Sequence, residues 1–158
     1  MNSFYKTSLF ALRVAMGWVM LYAGVTKVMD PTWTSVGYLK TAKTFPAFFQ
    51  WFLQPGILPI TDFANEWGLT LLGVSLILGI GVRLGSVLGA ALMLLYYFPV
   101  LEFPKVGLHD YIVDYHIIYA LVLLFFAAAR AGRVYGLENW CSNLPVCRNF
   151  PWLRGLLG

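Results

Sequence analysis

Four runs of about 20 mostly apolar residues dominate this chain and constrain its fold more than any other feature. A run of that length is enough to cross the hydrocarbon of a bilayer as a helix. An open sheet in lipid would leave the polar groups of its edge strands without hydrogen-bond partners. The sequence therefore predicts an all-α fold, an integral membrane four-helix bundle with spans at residues 9–28, 62–82, 84–101 and 112–129.

The composition of the chain indicates that its solvent is lipid. Its 158 residues are 59% apolar and 11% charged, whereas about 25% are charged in an ordinary soluble domain. A soluble domain of this size cannot bury so much apolar surface, and disordered chains are far more polar. The net charge of +4 is modest and is divided between the two sides of the predicted bundle. The lipid bilayer is therefore a predicted partner, and nucleic acid is not.

The segments between the spans differ in character. Only a few residues around Arg83 separate the second span from the third, so these helices are predicted to be antiparallel neighbours. The segment at 30–61 is rich in aromatic residues and proline, which predicts a short helix or re-entrant cap at the lipid–water interface. Residues 1–137 are thus predicted to form the transmembrane domain, and residues 138–158 an interfacial tail on the opposite side.

The tail contains both cysteines of the chain, Cys141 and Cys147. Two cysteines are too few for a disulfide framework, and their spacing matches neither a redox C-x-x-C motif nor a zinc site. We interpret them as ordinary thiols or as one local bridge.

Basic residues near the ends of the spans predict the orientation. With four spans both termini lie on one side, which carries six Lys and Arg residues against four on the other side. Because cytoplasmic loops are enriched in Lys and Arg, the termini are predicted to be cytoplasmic. The outward side then carries the remaining lysines, Lys27, Lys40, Lys43 and Lys105.

Ionisable residues inside the spans are the candidates for function. Each costs roughly 2.5–3.5 kcal/mol on insertion scales, so it normally faces a partner or a cavity. Counted along the helices at about 1.5 Å per residue, four of the five gather in the outward part of the bilayer, together with Tyr96. The fifth, Arg13, lies toward the cytoplasm, where it pairs elsewhere or reaches the interface. The outward four are Lys27, Glu66, Asp114 and His116.

Helical spacing places these residues on faces. One stripe of the first span runs from Arg13 through Gly17 and Gly24 to Lys27, and its glycines allow close approach of another helix. The matching stripe of the second span runs from Glu66 through Thr70, Gly73 and Ile77. A buried Glu66 beside Lys27 would neutralise both charges. Gly85 and Gly89 are expected to allow a similarly close approach in the third span.

Asp114 and His116 allow more than one interpretation. Residues two positions apart on a helix point about 200° away from each other, so Asp114 and His116 are not expected to share a face. Asp114 is either a helix cap or a site residue, and His116 makes a structural hydrogen bond or carries protons. A metal site formed with His109 and Asp110 has no spacing to support it. Neither haem-binding histidine pairs nor a C-x-x-C-H motif occurs, so no metal or haem is predicted.

Several motifs resemble one family of membrane proteins. The stretch from Leu12 to Trp18 runs into Tyr-Ala-Gly-Val-Thr-Lys, followed by Asp30-Pro-Thr-Trp33. The last span begins with Asp114-Tyr-His-Ile-Ile-Tyr, and Ala-Gly-Arg-Val-Tyr-Gly-Leu follows it. In order and placement, these motifs resemble the DoxX/DoxD family, and they are most similar to the DoxD branch.

The resemblance implies a function in the prokaryotic cytoplasmic membrane. It implies the membrane subunit of a thiosulfate:quinone oxidoreductase, which joins two thiosulfates to tetrathionate and passes the electrons to a membrane quinone. A second subunit, DoxA, accompanies that subunit, and a homo-oligomer is left open. The alternative is a non-enzymatic accessory or scaffold subunit of a larger membrane complex.

The implied reaction suggests roles for the residues inside the spans. Glu66, His116 and Asp114 are the expected catalytic residues, because quinone reduction needs a route for protons. Residues expected to bind substrate supply positive charge or polar aromatic groups to an apolar slot. They are Lys27, Arg13, Tyr22, Trp67 and Tyr96.

Overall fold

The computed structural model describes residues 2–107 and 110–141, and helices account for most of them. The elements are α1 (Ser3–Val28), α2 (Val36–Lys40), α3 (Pro46–Trp51), α4 (Leu58–Leu78), α5 (Val82–Val100), β1 (Leu101–Glu102), β2 (Lys105–Val106), β3 (Asp110–Tyr111), α6 (Tyr115–Ala128), a 3-10 turn (Ala131–Arg133) and α7 (Glu138–Cys141). The tail beyond Cys141, including Cys147, lies outside the described residues, as does His109.

The four long helices lie where the sequence predicts the four spans. Within the described residues, α1 and α5 are the two helices that are long and apolar enough to cross a membrane. Helix α4 has 21 residues, but Asp62, Asn65 and Glu66 near its start lower its hydropathy. Helix α6 has 14 residues, about 21 Å of helix, because it begins after Asp114 and not at residue 112.

Glycine-mediated packing joins α1 to α4, as the stripes predict. A Cβ at Gly17 would meet Ile77 Cγ1 at 2.9 Å, one at Gly24 would meet the backbone and hydroxyl of Thr70, and one at Gly73 would meet the backbone of Leu21. Each glycine thus lets the opposite helix occupy the space that a side chain would need. The prediction of matching glycine-bearing faces is confirmed.

The other long helices complete one apolar core. Helix α5 packs along α6, and α4 and α5 are joined by a short turn in which Gly79 and Gly81 have positive φ angles of 70° and 65°. The predicted close approach at Gly89 is confirmed, since a Cβ there would meet Leu72 and Leu123. All four long helices contribute buried side chains to the core, among them Met20, Leu76, Met93 and Leu123.

A small sheet, which the sequence did not predict, connects α5 to α6. Strands β1, β2 and β3 form an antiparallel sheet in that order, with Leu101 opposite Val106 and Lys105 opposite Tyr111. Paired strands this short carry little periodicity, and only Pro104 and Gly107 marked this stretch as a turn in the sequence. The sheet brings the chain back toward the start of α6.

Large apolar side chains point outward from the middle of all four long helices. The exposed fractions are 63% for Trp18, 61% for Leu71, 61% for Leu88 and 58% for Leu121. A water-soluble surface seldom carries so continuous an apolar covering.

Candidate ligand-binding site

A polar pocket of about 260 Å³ lies at the end of the four long helices where the sequence predicts the outward cluster. Each long helix supplies one polar side chain to its wall: Lys27 from α1, Asn65 from α4, Tyr96 from α5 and His116 from α6. The segment between α1 and α2, with part of α2, completes it through Trp33, Thr34, Ser35 and Tyr38.

The Asp-Pro-Thr-Trp motif turns the chain back over the end of α1. Asp30 Oδ1 accepts hydrogen bonds from the backbone N–H of Thr32 at 2.9 Å and from its hydroxyl at 2.7 Å. These bonds favour the ionised carboxylate and lower the pKa of Asp30. The turn places the ring of Trp33 5.5 Å from Lys27 Nζ, close enough for a cation–π interaction.

Asp62 at the start of α4 anchors the covering segment. Its carboxylate accepts hydrogen bonds from the Thr34 hydroxyl at 2.8 Å, the Ser35 N–H at 3.0 Å and the Ser35 hydroxyl at 2.5 Å. The Tyr38 hydroxyl then donates to the backbone carbonyl of Tyr96 on α5. Burial, with smaller contributions from Tyr115 and Asp114, raises the pKa of Tyr38, so its hydroxyl stays protonated as a donor.

Lys27 brings a half-buried positive charge to the pocket. Its ammonium donates to the carbonyl of Ala23 at 2.9 Å, and Glu66 is near enough to interact with it electrostatically. Within the described part of the chain, however, Lys27 and Glu66 form no ion pair at contact distance. Glu66 is half-buried and does not line the pocket. Its charge therefore acts on the pocket through Lys27 and not by direct contact with a ligand.

Asp114 and His116 form a buried pair, which corrects the expectation that they point apart. Asp114 Oδ2 lies 2.5 Å from His116 Nδ1, and Oδ1 accepts the N–H groups of His116 and Ile117 at 3.0 and 3.2 Å. The argument from helical spacing fails because Asp114 is the N-cap of α6, with extended φ and ψ angles of −113° and −176°. Asp114 is therefore a helix cap and also the partner of the histidine.

This pairing determines which nitrogen of His116 is available to a ligand. A carboxylate at Nδ1 holds a proton there and fixes the ring orientation, so Nε2 is the nitrogen left for the pocket. The ring stacks on Tyr115 with centroids 4.1 Å apart and meets the edge of Tyr96 at 5.8 Å. The arrangement directs Nε2 of a ring held by Asp114 toward the pocket, where it can hydrogen-bond with a ligand.

Two further polar atoms at the pocket are buried close to each other, and neither makes a hydrogen bond of good geometry. The Tyr96 hydroxyl lies beside the Asn65 side chain. Neither that hydroxyl nor Asn65 Oδ1 has a well-formed hydrogen bond to any described residue. An unsatisfied buried polar group costs about 1–3 kcal/mol, so both atoms are suited to receive a polar ligand.

An apolar cavity of about 470 Å³ adjoins the polar pocket. The two share Ser35, Tyr38, Asn65 and Tyr96 as a common wall. The rest of the apolar cavity is lined by side chains from the predicted interfacial segment, which forms α2 and α3, and from α4 and α5, including Leu39, Phe49 and Leu92. A ligand with one polar and one apolar end fits this pair of cavities.

The other predicted substrate-binding residues lie away from the pocket. Arg13 is fully buried about 20 Å from Lys27 along α1, where its guanidinium donates to the carbonyls of Ala131 and Tyr135 at 2.9 and 3.3 Å. Tyr22 is 65% exposed and Trp67 is 41% exposed, both on the outside of the helices. Of the expected site residues, the structure gathers Lys27, Tyr96, Asp114 and His116.

Asn65, Ser35 and Tyr38 line the pocket but are not among the residues that the sequence predicts there. Asn65 was detectable, because an amide in an apolar helix needs a partner just as a charge does. Ser35 and Tyr38 carry no such signal, since their position depends on the hydrogen bonds to Asp62 and to the carbonyl of Tyr96. Among the described residues, no group of three His, Cys, Asp or Glu side chains could hold a metal ion. The His109 considered for such a site lies outside those residues.

In comparison with known proteins, a family model described as DoxX matches residues 8–101. These include most of α1, all of α2 to α5, and the pocket residues Lys27, Asn65 and Tyr96. No curated protein and no solved structure matches the chain.

Proposed function

The chain belongs to the DoxX family of membrane proteins, and we propose that it acts as a DoxD-like membrane subunit of a thiosulfate:quinone oxidoreductase-type system. In this proposal the system oxidises a sulfur compound and passes the electrons to a membrane quinone. The observation that carries the proposal is the polar pocket beside an apolar cavity, with two buried polar atoms of their shared wall, the Tyr96 hydroxyl and Asn65 Oδ1, that make no hydrogen bond of good geometry.

The pocket residues suit the ring of a quinone. A quinone is a flat apolar ring whose two carbonyl oxygens accept hydrogen bonds, and when bound it takes up two electrons and two protons. The Tyr96 hydroxyl can donate a hydrogen bond to one of these oxygens, and Asn65 Oδ1 can accept one from a hydroxyl of the reduced quinol. The Lys27 ammonium provides positive charge nearby. In this proposal His116, oriented by Asp114, presents Nε2 to the pocket and relays a proton to a reduced oxygen.

The electron and proton balance defines what other components must supply. Two thiosulfate ions lose two electrons as a new S–S bond joins them into tetrathionate, and these electrons go to the quinone. The two protons come from water through groups such as His116. A DoxA-like second subunit, or other subunits of a membrane complex, is the proposed partner on the sulfur side, where Lys40, Lys43 and Lys105 would attract the anion.

We propose that the four long helices form an integral membrane four-helix bundle in the cytoplasmic membrane. The exposed apolar side chains on all four helices support this arrangement. The proposed orientation has cytoplasmic termini, so the pocket lies near the outward face, and α2 and α3 lie along that interface.

Replacing Tyr96 by Phe is the direct test of the quinone site. We expect the affinity for a benzoquinone analogue to fall about tenfold, because one hydrogen bond in a buried site is lost. Tyr22→Phe removes the same hydroxyl from an exposed position and should leave the affinity unchanged. Binding is measured by fluorescence quenching of the purified protein in nanodiscs.

Two results would contradict the proposal. If Tyr96→Phe and the wild-type protein bind the analogue with equal affinity, the pocket is not the quinone site. A wild-type protein that binds no quinone analogue, but purifies in fixed ratio with other subunits, would favour the accessory or scaffold role instead.

A further inference from the structure

An apolar groove of about 520 Å³ runs between α4 and α5. Its wall extends from Ala64 and Leu95, near the polar pocket, to Gly81 at the turn between the two helices. From Ala64 to the end of α4 at Leu78 is 14 residues, about 21 Å of helix. The wall has one hydroxyl, that of Ser75, and this already donates to the carbonyl of Ile80 at 2.6 Å. The groove therefore offers a long apolar surface.

Gly68, which lines this groove, differs from the glycines between α1 and α4 because no neighbouring helix covers it. At Gly24 and Gly73 the opposite helix fills the space of the missing side chain, whereas a Cβ at Gly68 would have no atom within 4 Å. Gly68 thus leaves an open depression in the α4 wall of the groove. Leu71 and Leu88 on its rim are each 61% exposed, so the groove is open toward the surrounding solvent, which for a membrane protein is lipid.

The groove continues into the cavities of the candidate site. It shares Ala64, Leu92 and Leu95 with the apolar cavity of 470 Å³, and that cavity shares Asn65 and Tyr96 with the polar pocket. The three spaces lie side by side, and together they make a path of adjoining pockets that runs from polar groups to apolar ones.

We infer that the groove between α4 and α5 holds the polyprenyl tail of the quinone whose ring binds in the polar pocket. The inference rests on the proposed function. A single apolar chain attached to one compact polar ring matches a single groove leading from one small polar pocket. A phospholipid carries two chains and a charged phosphate, and it matches this path less well.

The test compares a benzoquinone that carries one isoprene unit with one that carries eight, both binding to the full chain in nanodiscs. The variant Gly68→Phe fills the groove, and Gly68→Ala is its control because a methyl group there meets nothing. We expect Gly68→Phe to weaken binding of the long-tailed quinone about tenfold, since apolar contact area is lost. Binding of the short-tailed quinone should stay within twofold of the wild-type value.

A second variant keeps the test independent of the folding of Gly68→Phe. Ala64→Phe obstructs the junction of the groove with the apolar cavity and should give the same selective loss. Ala15→Phe places the same ring on an exposed face of α1 and should not. If the long-tailed quinone binds the groove variants as tightly as the wild-type protein, the tail lies elsewhere and the proposed function stands. If the wild-type protein binds neither quinone, both proposals fail.

Discussion

Asp114→Asn is expected to lower quinone reduction about a hundredfold, the scale of a lost general acid or base, while the protein stays folded. Asparagine is as good an N-cap as aspartate, so the hydrogen bonds to the N–H groups of His116 and Ile117 can remain. The substitution removes the negative charge 2.5 Å from His116 Nδ1. Without it, the tautomer with a proton on Nδ1 is no longer favoured, and Nε2 is no longer held in the form that faces the ligand.

The measurement is thiosulfate-dependent reduction of a quinone analogue in proteoliposomes that contain the protein and its partner subunit. Asp114→Ala removes both the cap and the charge, so it should lose the same activity and about 1 kcal/mol of stability in addition. Glu66→Gln should have a smaller effect, because Glu66 lies off the pocket wall and acts through Lys27. Full activity in Asp114→Asn would show that the carboxylate of Asp114 acts only as the N-cap of α6.

The faces of the helices were predictable from sequence because packing in a bundle follows helical periodicity. The stripe from Arg13 to Lys27 and its partner on α4 needed only the spacing of glycines and polar residues. The same reasoning failed for Asp114 and His116, because it assumed that both residues are helical. A cap residue has extended backbone angles, and its side chain folds back over the first turn.

The pocket could be predicted only in part. Lys27, Tyr96 and His116 were grouped because depth in a membrane is a simple count along each helix. The covering segment was not grouped with them, since Trp33 and Ser35 reach the pocket through contacts with Lys27 and Asp62 that join distant parts of the chain. The groove at Gly68 was also not predictable, because a glycine that admits a helix and one that leaves a space look the same in sequence.

The second large effect is expected at the opposite end of the bundle, where Arg13→Met should destabilise the protein. The Arg13 guanidinium is fully buried and ties α1 to the chain after α6 through the carbonyls of Ala131 and Tyr135. Gly79 and Gly136 pack directly against it. Two buried carbonyls then lose their donor, at about 1–3 kcal/mol each. The buried Glu138 carboxylate also loses one of the positive charges near it, although it keeps the ion pair with Arg133 at 3.3 Å.

The pH dependence of that loss identifies its cause. Burial raises the pKa of Glu138, although Arg133, Arg13 and Arg130 oppose the shift, so removing the Arg13 charge raises this pKa further. A carboxyl group with a raised pKa in the folded state makes folding less favourable as the pH rises through the interval between its unfolded and folded pKa values. The loss caused by Arg13→Met should therefore be larger at pH 7.5 than at pH 5.

Thermal unfolding of the detergent-solubilised protein at these two pH values measures the effect. Lys40→Met, which removes an exposed charge from α2, should change the stability by less than about 0.5 kcal/mol at either pH. If Arg13→Met loses the same stability at both pH values, the lost hydrogen bonds to the two carbonyls account for the whole effect. A loss no larger than that of the control would mean that Arg13 does not hold the end of the bundle together.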